Sequence, residues 1–272
     1  MKNGIFGKIY TPIIFTFLYA PIILLIIFSF SSSKYSFQFG EFTFKWYSEL
    51  FSDRRLLMLL GNTVLLAVIS SVIATVLGTM AAVGISKMKK KMQQLILNIT
   101  NIPMTNPDIV TGVSLALLFV FVGSVLKRND VLGFLTLLIA HITFSLPYVI
   151  LSVLPKLRQL DNSLVDAALD LGCTPSQAFK KVVLPQIMPG VVSGMGLAFT
   201  MSLDDFVISY FVSGTSFTTL PVEIYSYTKK LISPSVYSLF TLMFFAILLI
   251  MILMNLKDIK DTKRKQNRGV VK

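Results

Sequence analysis

The chain has 272 residues, a formal net charge of +12, only 14% charged residues and 54% hydrophobic ones, with a mean hydropathy of +0.75. A soluble domain carries roughly a quarter charged residues, so a water-soluble globular fold is excluded and an all-α integral membrane protein is expected. Cys173 is the single cysteine, which rules out an intramolecular disulfide.

Six stretches contain no Lys or Arg: 9–30, 60–86, 95–122, 132–155, 186–212 and 236–256. Each is long enough to cross a hydrocarbon core of about 30 Å as a helix, so six transmembrane helices are predicted. The first follows Lys2 and Lys8 and exceeds the roughly 7–15 apolar residues of a signal core; it reads as a retained anchor. Behind it, the external segment to residue 59 holds Tyr35, Phe37, Phe39, Phe42, Phe44, Trp46 and Tyr47. Such ring density beside a span suits an interfacial belt or a docking surface for an external protein, and the sequence leaves both open. The expected division is 1–59 (first helix and external loop), a helical core at 60–256 with a cytoplasmic loop at 156–185, and a basic tail at 257–272.

The basic residues set the orientation, because cytoplasmic segments hold the excess of Lys and Arg. With the N-terminus inside, the cytoplasmic side receives Lys2 and Lys8, then Lys87, Lys89, Lys90 and Lys91, then Lys156, Arg158, Lys180 and Lys181, and then the tail from Lys257 to Lys272. The outside keeps Lys34, Lys45, Arg54, Arg55, Lys127, Arg128, Lys229 and Lys230. Both termini are therefore placed in the cytoplasm. The same distribution explains the positive charge as topology and contact with anionic lipid, so nucleic acid is not expected as a partner.

Within the third stretch, Asn106 and Pro107 can start a new helical segment after a break near Pro103. Asp108 then serves as an acid at a helix N-terminus, as a ligand for a cation, or as both. His141 stands near the middle of the fourth stretch and reads as a neutral, hydrogen-bonded interior residue, with a proton relay as the alternative.

The loop from Lys156 to Leu184 encodes two short helices. Asp161, Asn162 or Ser163 can cap the first, Asp166 follows Ser163 at capping-box spacing, and Gly172 supplies a stop. Thr174 caps the second, with Pro175 at its first position and Gln177 at its third, and this helix is expected to end at Leu184-Pro185. An amphipathic connector lying on the membrane, with Leu164, Ala168 and Leu171 facing lipid, would satisfy the helices alone.

In the fifth stretch, Asp204 and Asp205 lie about 100° apart on a helix. Ser202, Asp205 and Ser209 fall on one stripe; Thr200, Asp204, Ile208 and Phe211 fall on another. An ionisable group at membrane depth is costly and usually faces a bundle interior or a wet pathway. With no Lys or Arg in any span, Asp108, Asp204 and Asp205 have no evident cationic partner in the chain. They are protonated, pair with another subunit, or await a cationic ligand, to which Phe206, Tyr210 and Phe211 could add cation–π contacts. A hydrogen bond from one of the pair to hydroxyls on a neighbouring helix is the structural alternative. Glu223 and Tyr225, in the last external loop, invite the same two readings as the first.

The order Asp166-Ala167-Ala168, Gly172, Phe179, Leu184-Pro185 resembles the EAA loop of the membrane subunits of ABC importers, with Asp166 replacing the commoner glutamate, which preserves the charge and shortens the reach. The resemblance implies a type I importer fold whose core is spans two to six. It also implies a bacterial inner-membrane location and a coupling helix, carrying Asp166, Ala167, Ala168, Leu171, Gly172 and Cys173, that sits in a groove of an ATP-binding subunit. The chain has no GxxxxGK[ST] phosphate loop, so ATP–Mg is expected on that partner and no catalysis or metal site in this chain. The segments Ser202–Ser209 and Asn106-Pro107-Asp108 are similar to those of spermidine/putrescine importer permeases. In that family two related permeases work on two copies of the ATPase, fed by an external binding protein, and this chain looks like the second permease. An ion-coupled carrier of a cationic solute is the competing class; a membrane enzyme lacks a nucleophile or metal constellation.

Overall fold

A computed structural model describes residues 5–33, 38–128, 130–228, 234–249 and 252. Both termini, Lys2, Lys34, Tyr35, Phe37, Lys229, Lys230 and the tail at 257–272 lie outside the described residues.

Every element named among the described residues is helical. In chain order they are α1 (Ile5–Ser29), α2 (Lys45–Ser52), α3 (Arg54–Ser86), α4 (Lys90–Thr105), α5 (Asp108–Val125), α6 (Phe134–Arg158), α7 (Asn162–Asp170), α8 (Pro175–Ala178), a π-turn (Phe179–Val183), α9 (Leu184–Asp204), α10 (Val207–Val212) and α11 (Leu220–Thr228). A shorter apolar helix, α12, covers Pro234–Leu249. Among the described residues, five segments are long and apolar enough to cross a membrane: Tyr10–Ser29, Arg54–Ser86, Asp108–Val125, Phe134–Arg158 and Pro175–Asp204.

Three details depart from the sequence expectations. The third stretch breaks into α4 and α5 as expected, but only α5, and not the whole of 95–122, is a candidate span. Its break falls at Asn106-Pro107 rather than near Pro103, which sits inside α4. Pro103 removes one donor and the helix absorbs it; Pro107 additionally forces Asn106 to an extended ψ of 142°, which no helix can continue through. The second loop helix does not end at Leu184-Pro185. It passes through the π-turn into α9, and Pro185 falls in the first turn of α9, just after the π-turn has displaced the regular i→i−4 ladder that its missing N–H would otherwise break. Finally, the fifth span is interrupted at Asp205, whose ψ of 121° separates α9 from α10.

The chain divides into two compact units, Met1–Met58 with Ser226–Lys272, and Leu59–Tyr225. In the first, the segment after α1 folds back on the helix end. Trp46 is 3% exposed and its indole donates to the Ser31 carbonyl at 2.6 Å. Phe30 meets Phe42, Phe44 and Tyr47 at ring separations of 5.1–5.5 Å. Phe39, Phe42 and Phe44 keep most of their surface exposed.

In the second unit, α6 and α9 pack along a seam of small residues. A Cβ on Gly190 would stand 2.7 Å from the Ser152 carbonyl oxygen, and one on Gly194 would stand 3.2 Å from the Val149 Cα. Gly190, Gly194 and Ala198 recur every four residues, so one face of α9 lets the α6 backbone approach closely, as small-residue seams do in lipid. The core on this seam joins α3, α6, the π-turn and α9 through Ala82, Val149, Val153, Val183 and Ile187, with Val165 and Phe179 of the loop packed against it. A second cluster, Leu66, Leu137, Ala140, Ile208 and Val212, ties α10 to α3 and α6. On α5, Gly112 allows α10 to approach, a Cβ there lying 3.3 Å from the Ile208 Cα.

Candidate functional site: a coupling loop joined to a broken span

Asp161 is the cap that α7 uses among the three offered by the sequence: its carboxylate accepts from the Ser163 amide at 3.0 Å. Hydrogen bonding from Ser163 holds the Asp161 carboxyl below its ordinary value. Gly172, at φ 82°, ends α7 in a Schellman pattern, with the Cys173 amide donating to Ala168 and the Gly172 amide to Leu169. Thr174 and Gln177 form a reciprocal capping box at 3.0 and 3.3 Å. These local bonds give the loop a fixed shape without support from another chain.

That shape sorts the six residues expected to contact an ATP-binding subunit. Ala168 is buried and Cys173 half-buried, while Asp166, Ala167 and Gly172 are exposed. Leu171 is 86% exposed. Leu164, Ala167 and Leu171 share one stripe of the helix, so α7 presents an apolar ridge outward and packs its other side inward. Behind it lies a cleft of about 570 Å³, walled by Val165, Leu169 and Phe179 from the loop and by Lys87, Leu157 and Arg158 at the ends of α3 and α6.

The three acids are separated in role. Asp108 begins α5, exposed, at a helix N-terminus whose partial positive charge it offsets and one turn from the Gly112 approach to α10. Asp204 ends α9 and is exposed. Asp205 fills the break. Its Oδ2 accepts from the Ser209 amide at 2.7 Å and the Ser209 hydroxyl at 2.8 Å, and Oδ1 accepts from the Ile208 amide at 3.3 Å. The carboxylate thus replaces backbone carbonyls that the interrupted helix no longer supplies. Asp205 also has a partner that the sequence reasoning did not find, because His141 Nε2 on α6 lies 3.5 Å from its Oδ2. His141 is fully buried, with Nδ1 2.6 Å from the Ser202 hydroxyl and Nε2 3.0 Å from the Ser209 hydroxyl. Ser70 on α3 extends the network to Ser202 at 2.9 Å. The stripe Ser202, Asp205, Ser209 therefore meets on one imidazole, across a break instead of along a helix.

Two residues after Asp204, Phe206 opens a cluster of aromatics. Phe206 lies 4.4 Å from Tyr225 and 5.6 Å from Tyr210, and Tyr210 lies 6.2 Å from Tyr225. Tyr225 is held there because α11 is anchored by the Leu220 amide, which donates to the Thr63 hydroxyl at 2.8 Å. Phe211 meets Tyr210 edge-on at 5.4 Å but directs its ring edge at Gly112 and joins the second core cluster.

Residues 74–263 match the family described as "Binding-protein-dependent transport system inner membrane component". The chain belongs to this family. Like its other members, this inner-membrane component is a transport permease, so the long apolar helices are membrane spans and the chain is a multi-pass protein of the inner membrane, part of a system that works with a binding protein. It is 39% identical to the putrescine transport system permease protein PotI of Escherichia coli K12 over 234 residues, covering 86% of this chain and 83% of that one. It is also 39% identical to the spermidine/putrescine transport system permease protein PotC of the same organism over 230 residues, covering 85% of each. A solved bacterial ABC transporter involved in import of the acidic polysaccharide alginate has a chain with the same fold, at a TM-score of 0.72 and 14% identity over 92% of this chain and 93% of that one.

Proposed function

We propose that this permease carries polyamines inward as one of two related permeases mounted on two copies of an ATP-binding subunit, and that an external binding protein delivers the substrate. ATP–Mg is bound and hydrolysed on the partner subunit. Its likeness to PotI, a putrescine transport permease, and PotC, a spermidine/putrescine transport permease, supports the substrate class. The observation that carries the mechanism is continuity: α8, the π-turn and α9 run as one segment, Pro175–Asp204, from the coupling loop to the acid and ring cluster. A push on the exposed ridge of α7 is transmitted through Phe179 and Val165 to the α6–α9 core, and α9 moves Asp204 at its far end.

At that end Asp204 offers a carboxylate to an ammonium group, and Phe206, Tyr210 and Tyr225 offer ring faces. Asp108 supplies a second carboxylate at a different place, which suits a flexible chain bearing separated ammonium groups. The six stretches without Lys or Arg favour a cation under either class; the family match is what sets the ion-coupled carrier considered from the sequence aside for the ATP-driven reading.

The test is ATP-dependent uptake of labelled spermidine and putrescine by vesicles holding the whole complex. Asp108→Asn and Asp204→Asn are expected to lower uptake about tenfold or more, since a charge-assisted contact contributes about 1.5–3 kcal/mol, with assembly and basal ATP hydrolysis retained. Normal uptake by both variants would remove the carboxylates from the pathway.

A further inference from the structure

We infer that His141 is a positioning residue: it clasps the two halves of span five across their break, reserves Asp205 for the protein's own structure, and leaves Asp204 as the carboxylate presented to substrate. This rests on the proposed function above.

The geometry is directional. Ser202 is on α9, before the break; Ser209 is on α10, after it. One imidazole from α6 touches both, at 2.6 and 3.0 Å. The Ser209 hydroxyl donates to Asp205, so it has only lone pairs left for the ring, and Nε2 must be the donor there. Nδ1 then accepts from the Ser202 hydroxyl, whose own lone pairs face Ser70. With the Ser70 hydroxyl donating to Ser202 at 2.9 Å in preference to the Ala67 carbonyl at 3.3 Å, the donors from Ser70 through Ser202, a neutral His141 and Ser209 point one way and end on the Asp205 carboxylate. A backbone break inside a membrane is tolerated only where its polar groups are satisfied internally; the Asp205 carboxylate does this for the Ile208 and Ser209 amides, and the chain of side-chain bonds holds that carboxylate in place.

The consequence is a division of labour between adjacent acids. The Asp205 side chain is 10% exposed and accepts from Ile208 and Ser209 beside the His141 edge, which turns it toward the protein and away from a ligand. Asp204 is exposed, two residues before the first of the rings. Because α9 and α10 are not one helix, motion arriving along α9 reaches α10 and its rings through the clasp. A second attachment, the packing of Ile208 and Val212 against Leu137 and Ala140, keeps α10 seated on α6 when the imidazole is removed.

The experiment compares wild type, His141→Ala, His141→Gln and Ser202→Ala in the assembled complex, reading two quantities. The first is spermidine transported per ATP hydrolysed; the second is amide hydrogen exchange of residues 207–212, which needs no substrate. His141→Ala is expected to speed exchange in α10 and to lower transport per ATP about tenfold without raising the concentration for half-maximal uptake as far as Asp204→Asn does. His141→Gln, which can still reach Ser209, should recover much of the loss. If His141→Ala does not assemble, Ser202→Ala cuts only one arm and should give the same signs in weaker form. Faster exchange with unchanged transport per ATP would overturn the positioning role and reduce the network to packing. Unchanged exchange would overturn the clasp itself. If wild type transports no polyamine while exchange still responds to His141→Ala, the clasp stands and the substrate reading falls.

Discussion

Asp161 illustrates how much of the coupling loop is decided by single side chains. Its carboxylate is held below its ordinary value by Ser163, so the ionised form is favoured in the folded loop. A depressed folded value contributes stability that is complete above the unfolded value and is lost as pH falls through the folded one. Pepsin nicking of the Leu160–Leu164 segment should therefore rise as pH drops below about 4, while Asp161→Asn, which keeps a capping oxygen but no charge, should show a flatter pH dependence. At this scale the sequence was informative wherever the chemistry is local. Gly172, Thr174 and Gln177 take the roles that their spacing announces, because capping needs only three or four neighbouring residues. The stripe Ser202, Asp205, Ser209 was also legible as a period. Its partner was not, since nothing within 60 residues of Asp205 announces that His141 will lie against it; that pairing exists only once α6 and α9 pack.

The seam between α6 and α9 is the element-scale feature with the largest consequence, because it joins the coupling loop to the core. Gly190→Val puts a branched side chain where the Ser152 carbonyl already stands 2.7 Å from the Cβ position, and backbone cannot yield as a flexible side chain can. The expected cost is about 1–3 kcal/mol, read as a lower melting temperature in detergent. Gly84→Ala on α3 is the control: no atom lies within 4 Å of its Cβ position, so it should be neutral or gain up to about 1 kcal/mol of helix propensity. The spans were legible from the absence of Lys and Arg, because exclusion of charge from hydrocarbon acts on each residue separately. The breaks were harder. At Asn106-Pro107 two prolines competed for one break, and the deciding factor was the extended conformation of Asn106. At Asp205 there is no proline or glycine to mark it; a carboxylate standing in for backbone acceptors makes the interruption possible. The π-turn before Pro185 likewise leaves no trace in hydrophobic period.

For the whole molecule, the question is how a chain without a phosphate-binding loop is driven by ATP, and the exposed ridge of α7 is the place to press. Leu171 is 86% exposed on a helix whose caps and Schellman turn are complete without it, so it has no folding role to lose. A large apolar residue held out on a rigid polar-flanked loop marks a contact surface, and a central anchor in such a surface is worth about 2 kcal/mol or more when truncated. Leu171→Asp should leave the permease folded, with an unchanged melting temperature, yet weaken retention of the ATP-binding subunit about thirtyfold and uncouple hydrolysis from uptake. Val165→Asp makes the contrast. Val165 is half-buried, walls the cleft behind α7 and packs against the α6–α9 core, so a charge there should lower the stability of the permease itself before affecting the partner. If Leu171→Asp kept the ATPase bound and transport intact, the ridge would be a lipid-facing surface, as an amphipathic connector would have it, and the push that moves α9 would have to enter the molecule elsewhere.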